Sequence, residues 1–90
     1  MTILEKNDKC IQKAYKILNE NKIYPEIWSH QVLPVIFIQI DNGDWKHEHL
    51  KAKLLLEEQG FAFLGKEELG ESPDDTYSAI HRYICSSVEC

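Results

Sequence analysis

The segment that most constrains this 90-residue chain is residues 32–40, which is apolar on both sides of an extended backbone. β-branched and aromatic residues dominate it, and that composition predicts a strand. Alternate side chains of a strand point to opposite faces, so one face carries Val32, Ile36, Ile38 and Ile40, and the other carries Leu33, Val35 and Phe37. Pro34 has no N–H group, which predicts that the early part of the strand lies at an edge or a bulge. A sheet built on this strand has two apolar faces to cover.

Two amphipathic helices are predicted, over residues 3–20 and 45–59. The first has an apolar face of Leu4, Ile11, Ala14, Tyr15 and Leu18, and Pro25 prevents its continuation. Asp44 is expected to cap the second helix, and Gly60 to end it in a left-handed conformation. The broad apolar face of the second helix consists of Trp45, His49, Ala52, Leu55 and Leu56, whereas Leu50 and Leu54 lie nearly opposite. A helix with two apolar faces is expected to contact two surfaces.

The remaining segments complete an α+β prediction of a single domain over residues 1–90. The expected segments are a connection at 23–31 with a helical turn from Pro25, a turn at 41–44, strands at 61–68 and 76–85, a loop at 70–75, and a frayed end at 86–90. The order α-β-α-β-β predicts a two-layer sandwich, with a three-stranded mixed sheet and both helices on one face. The first two strands should run parallel through a right-handed crossover, and the last two should form a hairpin.

The uncovered side of such a sheet predicts a partner. Covering roughly 400 Å² of apolar surface per chain is worth about 10 kcal/mol before association costs, and monomers seldom expose patches of that size. We therefore expect a homodimer, whose predicted interface residues are Leu33, Val35, Phe37, Tyr77, His81, Tyr83, Leu50 and Leu54. The alternative is that residues 23–31 fold over the second face.

The turn between the first strand and the second helix is a candidate metal site. Asp41, Asp44 and His47 bring two carboxylates and an imidazole to a position where open α/β sheets place ligands. His49 lies about 200° around the helix from His47 and cannot bind the same ion. The simpler interpretation is that Asp44 caps the helix and His49 packs beside Trp45.

Two other groups of residues are candidates for nucleic-acid binding and for catalysis. The first helix carries Lys6, Lys9, Lys13 and Lys16 on one side, which could follow nucleic-acid phosphates. The net charge of −5 and the absence of interleaved aromatic residues favour a solvated helix face. His81 is interpreted as a buried histidine beside a tyrosine, since Cys85 lies about 13 Å further along the strand and is too far away to serve as a nucleophile.

Composition and motifs predict a cytoplasmic protein and favour one that is not an enzyme, with a small enzyme or metal-binding protein that uses Asp41, Asp44 and His47 as the alternative. No basic start leads into an apolar stretch at the N-terminus, and no run of residues is long and apolar enough to cross a bilayer. The three cysteines form no disulfide framework and are interpreted as reduced thiols. The glycines match no phosphate-binding loop, so no cofactor is expected. The leading hypothesis is a small interaction or regulatory module that self-associates.

Overall fold

A computed structural model describes residues 2–40, 44–68 and 79–88. The elements are α1 (Ile3–Glu20), β1 (Glu26–Ser29), β2 (Val35–Ile40), α2 (Trp45–Glu58), β3 (Ala62–Glu68) and β4 (Ala79–Ile84). The α+β class and both helices are confirmed. The predicted turn at 41–43, the loop at 70–75 and the start of the last strand at 76–78 lie outside the described residues. Within the described ranges, neither helix is long and apolar enough to cross a membrane.

The sheet has four strands in the order β1-β2-β4-β3, and every neighbouring pair is antiparallel. The prediction of a three-stranded mixed sheet is therefore wrong in strand number and pairing. The hairpin of the last two strands is confirmed, because β3 pairs with β4. The first and second predicted strands do run in the same direction, but β4 lies between them.

The fourth strand comes from the segment that was expected to be a connection with a helical turn. Residues 26–29 pair with β2 from Glu26 opposite Gln39 to Ser29 opposite Ile36. Pro25 precedes the first paired residue, where a missing N–H group costs no ladder hydrogen bond. Burial along β1 follows the period of a strand, with Ile27 buried between two exposed neighbours. Residues 26–29 thus extend the sheet sideways, while the ring of His30, next along the chain, lies 6.4 Å from that of Phe37 between ring centres.

The chain consists of two halves with the same α-β-β order. In each half a helix precedes two strands, and the second strands of the two halves, β2 and β4, pair at the centre of the sheet. The outer strands are β1 and β3. Both helices pack against the same face of the sheet and against each other. The opposite face therefore receives neither helix.

The hydrophobic core lies between the helices and the face that we call the covered face. The covered face consists of Ile27, Ile36, Ile38, Ile40, Phe63, His81 and Tyr83. Ala14 and Leu18 of α1 and Ala52 and Leu56 of α2 are fully buried against it. The predicted apolar faces of the two helices are confirmed by these contacts, except that Leu4 is exposed.

The chain remains anchored as far as Val88, beyond the point where fraying was expected. Val88 is 1% exposed and belongs to the core, and the Lys6 Nζ atom donates a hydrogen bond to its carbonyl at 2.7 Å. Gly60 follows α2 with φ of +97°, as the sequence predicts, and a Cβ at this position would lie 3.1 Å from the Ser87 carbonyl oxygen. Glycine at position 60 therefore allows both the helix end and the close approach of the C-terminal segment.

A buried polar side chain joins α1 to the segment before β2. Asn7 is fully buried, and its Nδ2 atom donates to the carbonyl oxygens of His30 at 3.2 Å and Leu33 at 2.9 Å. Its Oδ1 atom accepts from the Cys85 thiol at 3.3 Å. These bonds satisfy carbonyl groups that leave the sheet ladder as the chain passes from β1 to β2.

We predict that Asn7→Ala lowers the free energy of unfolding by about 2 kcal/mol, because the carbonyl groups of His30 and Leu33 each lose a hydrogen bond and a cavity remains. Urea denaturation followed by circular dichroism measures the change. Gln12→Ala, at an exposed position of the same helix, is the matched control and should change stability by less than about 0.5 kcal/mol. Equal stability of the Asn7→Ala variant and the native protein would contradict the structural role of Asn7.

Candidate functional site

The face of the sheet opposite the helices, which we call the open face, carries a mixed but largely apolar surface. It consists of Glu26, Trp28, Val35, Phe37, Gln39, Ala62, Gly65, Ile80, Arg82 and Ile84. The Trp28 and Phe37 rings stack with their centres 5.6 Å apart, and Trp28 remains 38% exposed. Leu64, at the bulge between Phe63 and Gly65, is 52% exposed. Large apolar groups thus reach the surface on the side that the helices leave free.

The register of the central strands places Arg82 in the middle of the open face. Arg82 lies opposite Phe37 on β2 and opposite Gly65 on β3. One of its terminal nitrogens lies 3.6 Å from the point that a Cβ at position 65 would occupy. The guanidinium group therefore extends across the glycine. The open face thus combines a cation with the Trp28–Phe37 stack.

The structure divides the predicted interface residues among several surfaces. Val35 and Phe37 lie on the open face, whereas His81 and Tyr83 lie opposite Ile38 and Ile36 on the covered face. Burial raises the pKa of the Tyr83 hydroxyl, so this side chain is a neutral core residue. Leu33 is exposed in the segment before β2, and Leu50 and Leu54 are exposed on α2. Tyr77 lies outside the described residues.

The structure describes two of the three residues of the predicted metal site, Asp44 and His47. The His47 Nδ1 atom and the Asp44 Oδ1 atom lie 2.9 Å apart, and both side chains are largely exposed. Asp44 occupies the N-cap position of α2 but makes no side-chain cap bond, because its carboxylate contacts His47 instead. Asp41 lies outside the described residues. In the described ranges no group of three or more potential ligands comes together.

The lysine stripe of α1 divides into two parts. Lys6 is bonded to the Val88 carbonyl and so serves the packing of the C-terminal segment. Lys9, Lys13 and Lys16 line a shallow groove that also contacts Gln59 at the end of α2. No aromatic side chain lies among the residues that line this groove. The lysines are therefore consistent with a solvated helix face.

A cleft between α2 and the strands β3 and β4 brings together aromatic rings and cations that the sequence interpretation did not connect. His49 and His81 stack on each other with their ring centres 3.8 Å apart and their planes 17° apart. The Trp45 ring meets the His49 ring edge-on, with their centres 6.3 Å apart, and the centres of the Phe63 and His81 rings are 5.2 Å apart. The Lys53 Nζ atom lies 4.6 Å from the centre of the Phe63 ring. The wall is thus aromatic, with ammonium groups at its border.

The imidazole of His81 is neutral at physiological pH. Burial, followed by the charges of His49, Lys66 and Lys53, lowers the pKa of His81 from 6.5 to about 4. A protonated His81 would add a further positive charge to a site that already has several. The site can therefore use His81 as a neutral hydrogen-bonding group and not as a cation.

We predict that His81 makes the protein less stable at acid pH. In the unfolded chain His81 binds a proton at about pH 6.5, whereas in the folded protein it binds one only near pH 4. The free energy of unfolding therefore falls as the pH decreases between these values. The loss should amount to about 2–3 kcal/mol. Urea denaturation at several pH values measures it. His81→Gln should flatten this part of the profile, and Gln12→Ala, at an exposed position that does not titrate, should not. Parallel profiles for the native protein and His81→Gln would show that His81 does not titrate in this way.

Comparison with known proteins assigns this chain to no family. No family model matches it, and neither a curated protein nor a solved structure matches it. Function is therefore inferred from the side-chain geometry of the described residues.

Proposed function

We propose that this protein is a small interaction or regulatory module that self-associates through the open face of its sheet. The observation that carries the proposal is that both helices pack on the covered face, while Trp28 and its stacked partner Phe37 reach the surface on the other. Residues 26–29 widen the sheet and do not roof it. Burial of this surface is the principal source of free energy for association.

A second copy of the chain is the partner that we propose. A two-fold contact buries the same face on both copies, so the apolar face is not available to bind a third copy. The open face carries both Arg82 and Glu26, so such a contact can bring opposite charges together across the axis. The net charge of −5 on each copy opposes association, and added salt should therefore favour the dimer.

The size of the open face limits the strength of the dimer. Burial of roughly 400 Å² per chain lies below the ~800 Å² per partner that is typical of stable complexes. We therefore propose a dissociation constant in the micromolar range, so that the oligomeric state depends on concentration. We further propose that the dimer forms in the reducing cytoplasm, which suits the buried thiols of Cys10 and Cys85, neither of which is in a disulfide.

Two alternatives have less support. Metal binding would require Asp41 to join Asp44 and His47, whose side chains already bond to each other in an exposed position. Nucleic-acid binding would rely on three lysines of α1 in an overall acidic chain. Among the residues that the structure describes, neither site contains a buried charged group of the kind typical of catalytic and metal sites.

We predict that Trp28→Lys raises the dissociation constant of the dimer by at least about tenfold, because a charge would be buried in the contact. Analytical ultracentrifugation over a range of concentrations measures it, and a thermal unfolding curve checks that the variant folds. Leu54→Lys is the matched control, since Leu54 is 60% exposed on α2, away from the open face.

The two variants distinguish the possible outcomes. Dissociation by Trp28→Lys alone supports the open face. Dissociation by Leu54→Lys alone would show that the dimer contact lies on α2, where Leu50 and Leu54 were also predicted as interface residues. A native protein that stays monomeric at high micromolar concentration would contradict self-association.

A further inference from the structure

The cleft between α2 and β3 has the composition of a binding site for a small ligand, and it lies on the side of the sheet away from the open face. Its volume is about 500 Å³, within the range of sites that hold small molecules. Apolar surface comes from Trp45, Leu50 and Phe63. Lys46, Lys53 and Lys66 contribute ammonium groups, and no carboxylate lines the cleft among the described residues. In a chain with net charge −5, this is a local concentration of positive charge.

Two of the three lysines, Lys46 and Lys53, lie over aromatic rings. The Lys46 Nζ atom lies 5.4 Å from the centre of the Trp45 ring, and the Lys53 Nζ atom lies 4.6 Å from that of Phe63. These cation–π contacts hold the ammonium groups beside apolar surface, where an anion loses less of its interaction to solvent. The Glu57 Oε1 atom lies 3.9 Å from the Lys53 Nζ atom, and both side chains are partly exposed. Such pairs are weak, so an anionic ligand can replace Glu57 beside Lys53.

A buried polar group on the wall of the cleft points independently to a ligand. His81 is only 8% exposed, and its Nδ1 atom makes no hydrogen bond to any residue in the described ranges. Buried polar groups nearly always have a partner, and the missing bond is costly. The ring is held in place by stacking on His49 and by a tilted contact with Phe63. The unpartnered Nδ1 atom thus places a polar group within the aromatic wall of the cleft.

We propose that this cleft binds a small organic anion that consists of an aromatic ring bearing a phosphate or carboxylate group. The ring packs against Trp45 and Phe63, and the anionic group lies among the ammonium groups at the border. The His81 ring lies in the wall beside both parts of the site. Neither an inorganic anion nor an uncharged ring uses both parts of the site, so the ligand needs the two together.

Calorimetry with three probes tests this proposal: phenyl phosphate, inorganic phosphate and benzyl alcohol. Phenyl phosphate should bind saturably with a dissociation constant of millimolar or below and should shift the imidazole NMR signals of His81. The other two probes should each bind at least about tenfold more weakly. The double substitution Lys53→Gln and Lys66→Gln should weaken binding of phenyl phosphate at least about tenfold.

The matched control is the double substitution Lys9→Gln and Lys13→Gln, which removes the same charge from α1. It should leave the affinity for phenyl phosphate unchanged. An equal loss in this control would overturn the proposal, as would inorganic phosphate binding as tightly as phenyl phosphate, or no saturable binding of phenyl phosphate. The Trp28→Lys variant should bind phenyl phosphate like the native protein, so the result does not depend on self-association.

Discussion

The antiparallel pairing of β2 with β4 is the interaction on which the rest of the structure depends. It joins the two α-β-β halves, and its register decides which side chains share a face. Ile36 opposite Tyr83 extends the core beneath the helices, while Phe37 opposite Arg82 falls on the open face. A shift by one residue would exchange the faces of a whole strand and place Arg82 against the helices. The burial of the core and the exposure of the open face are therefore two results of one pairing.

Elements that depend on local signals could be predicted from the sequence. The 3.6-residue period of apolar side chains gave the bounds of α1 and nearly those of α2, and Gly60 marked the end of α2. The alternation along residues 35–40 correctly separated Ile36, Ile38 and Ile40 from Val35 and Phe37. Such features require only neighbouring residues. They were sufficient for the α+β class and for the expectation that one face of the sheet stays without a helix.

Features that depend on pairing between distant residues could not be predicted in the same way. The two-residue period of Glu26, Ile27 and Trp28 was a signal for β1, but the bulky side chains also suited a covering flap. Alternation along β4 was evident, yet it does not say which of its faces meets the helices, so His81 and Tyr83 were assigned to the interface. The cleft combines residues of α2, β3 and β4. No spacing in the sequence brings Lys53, Phe63 and His81 together before the sheet order is known.

Strand β4 connects the two proposed surfaces, because His81 and Arg82 are adjacent in the chain and point to opposite faces. A ligand in the cleft and a second copy on the open face therefore contact opposite sides of one strand and do not compete for space. Occupancy of the cleft would change the dimerisation equilibrium only if the ligand bound monomer and dimer with different affinities. Dimerisation would then change the affinity for the ligand by the same factor. On the covered side of β4, His81 stacks on His49 and contacts Phe63 at a tilt of 53°. Any such coupling would therefore have to pass through the position of the strand itself, by a shift of Arg82 relative to Phe37.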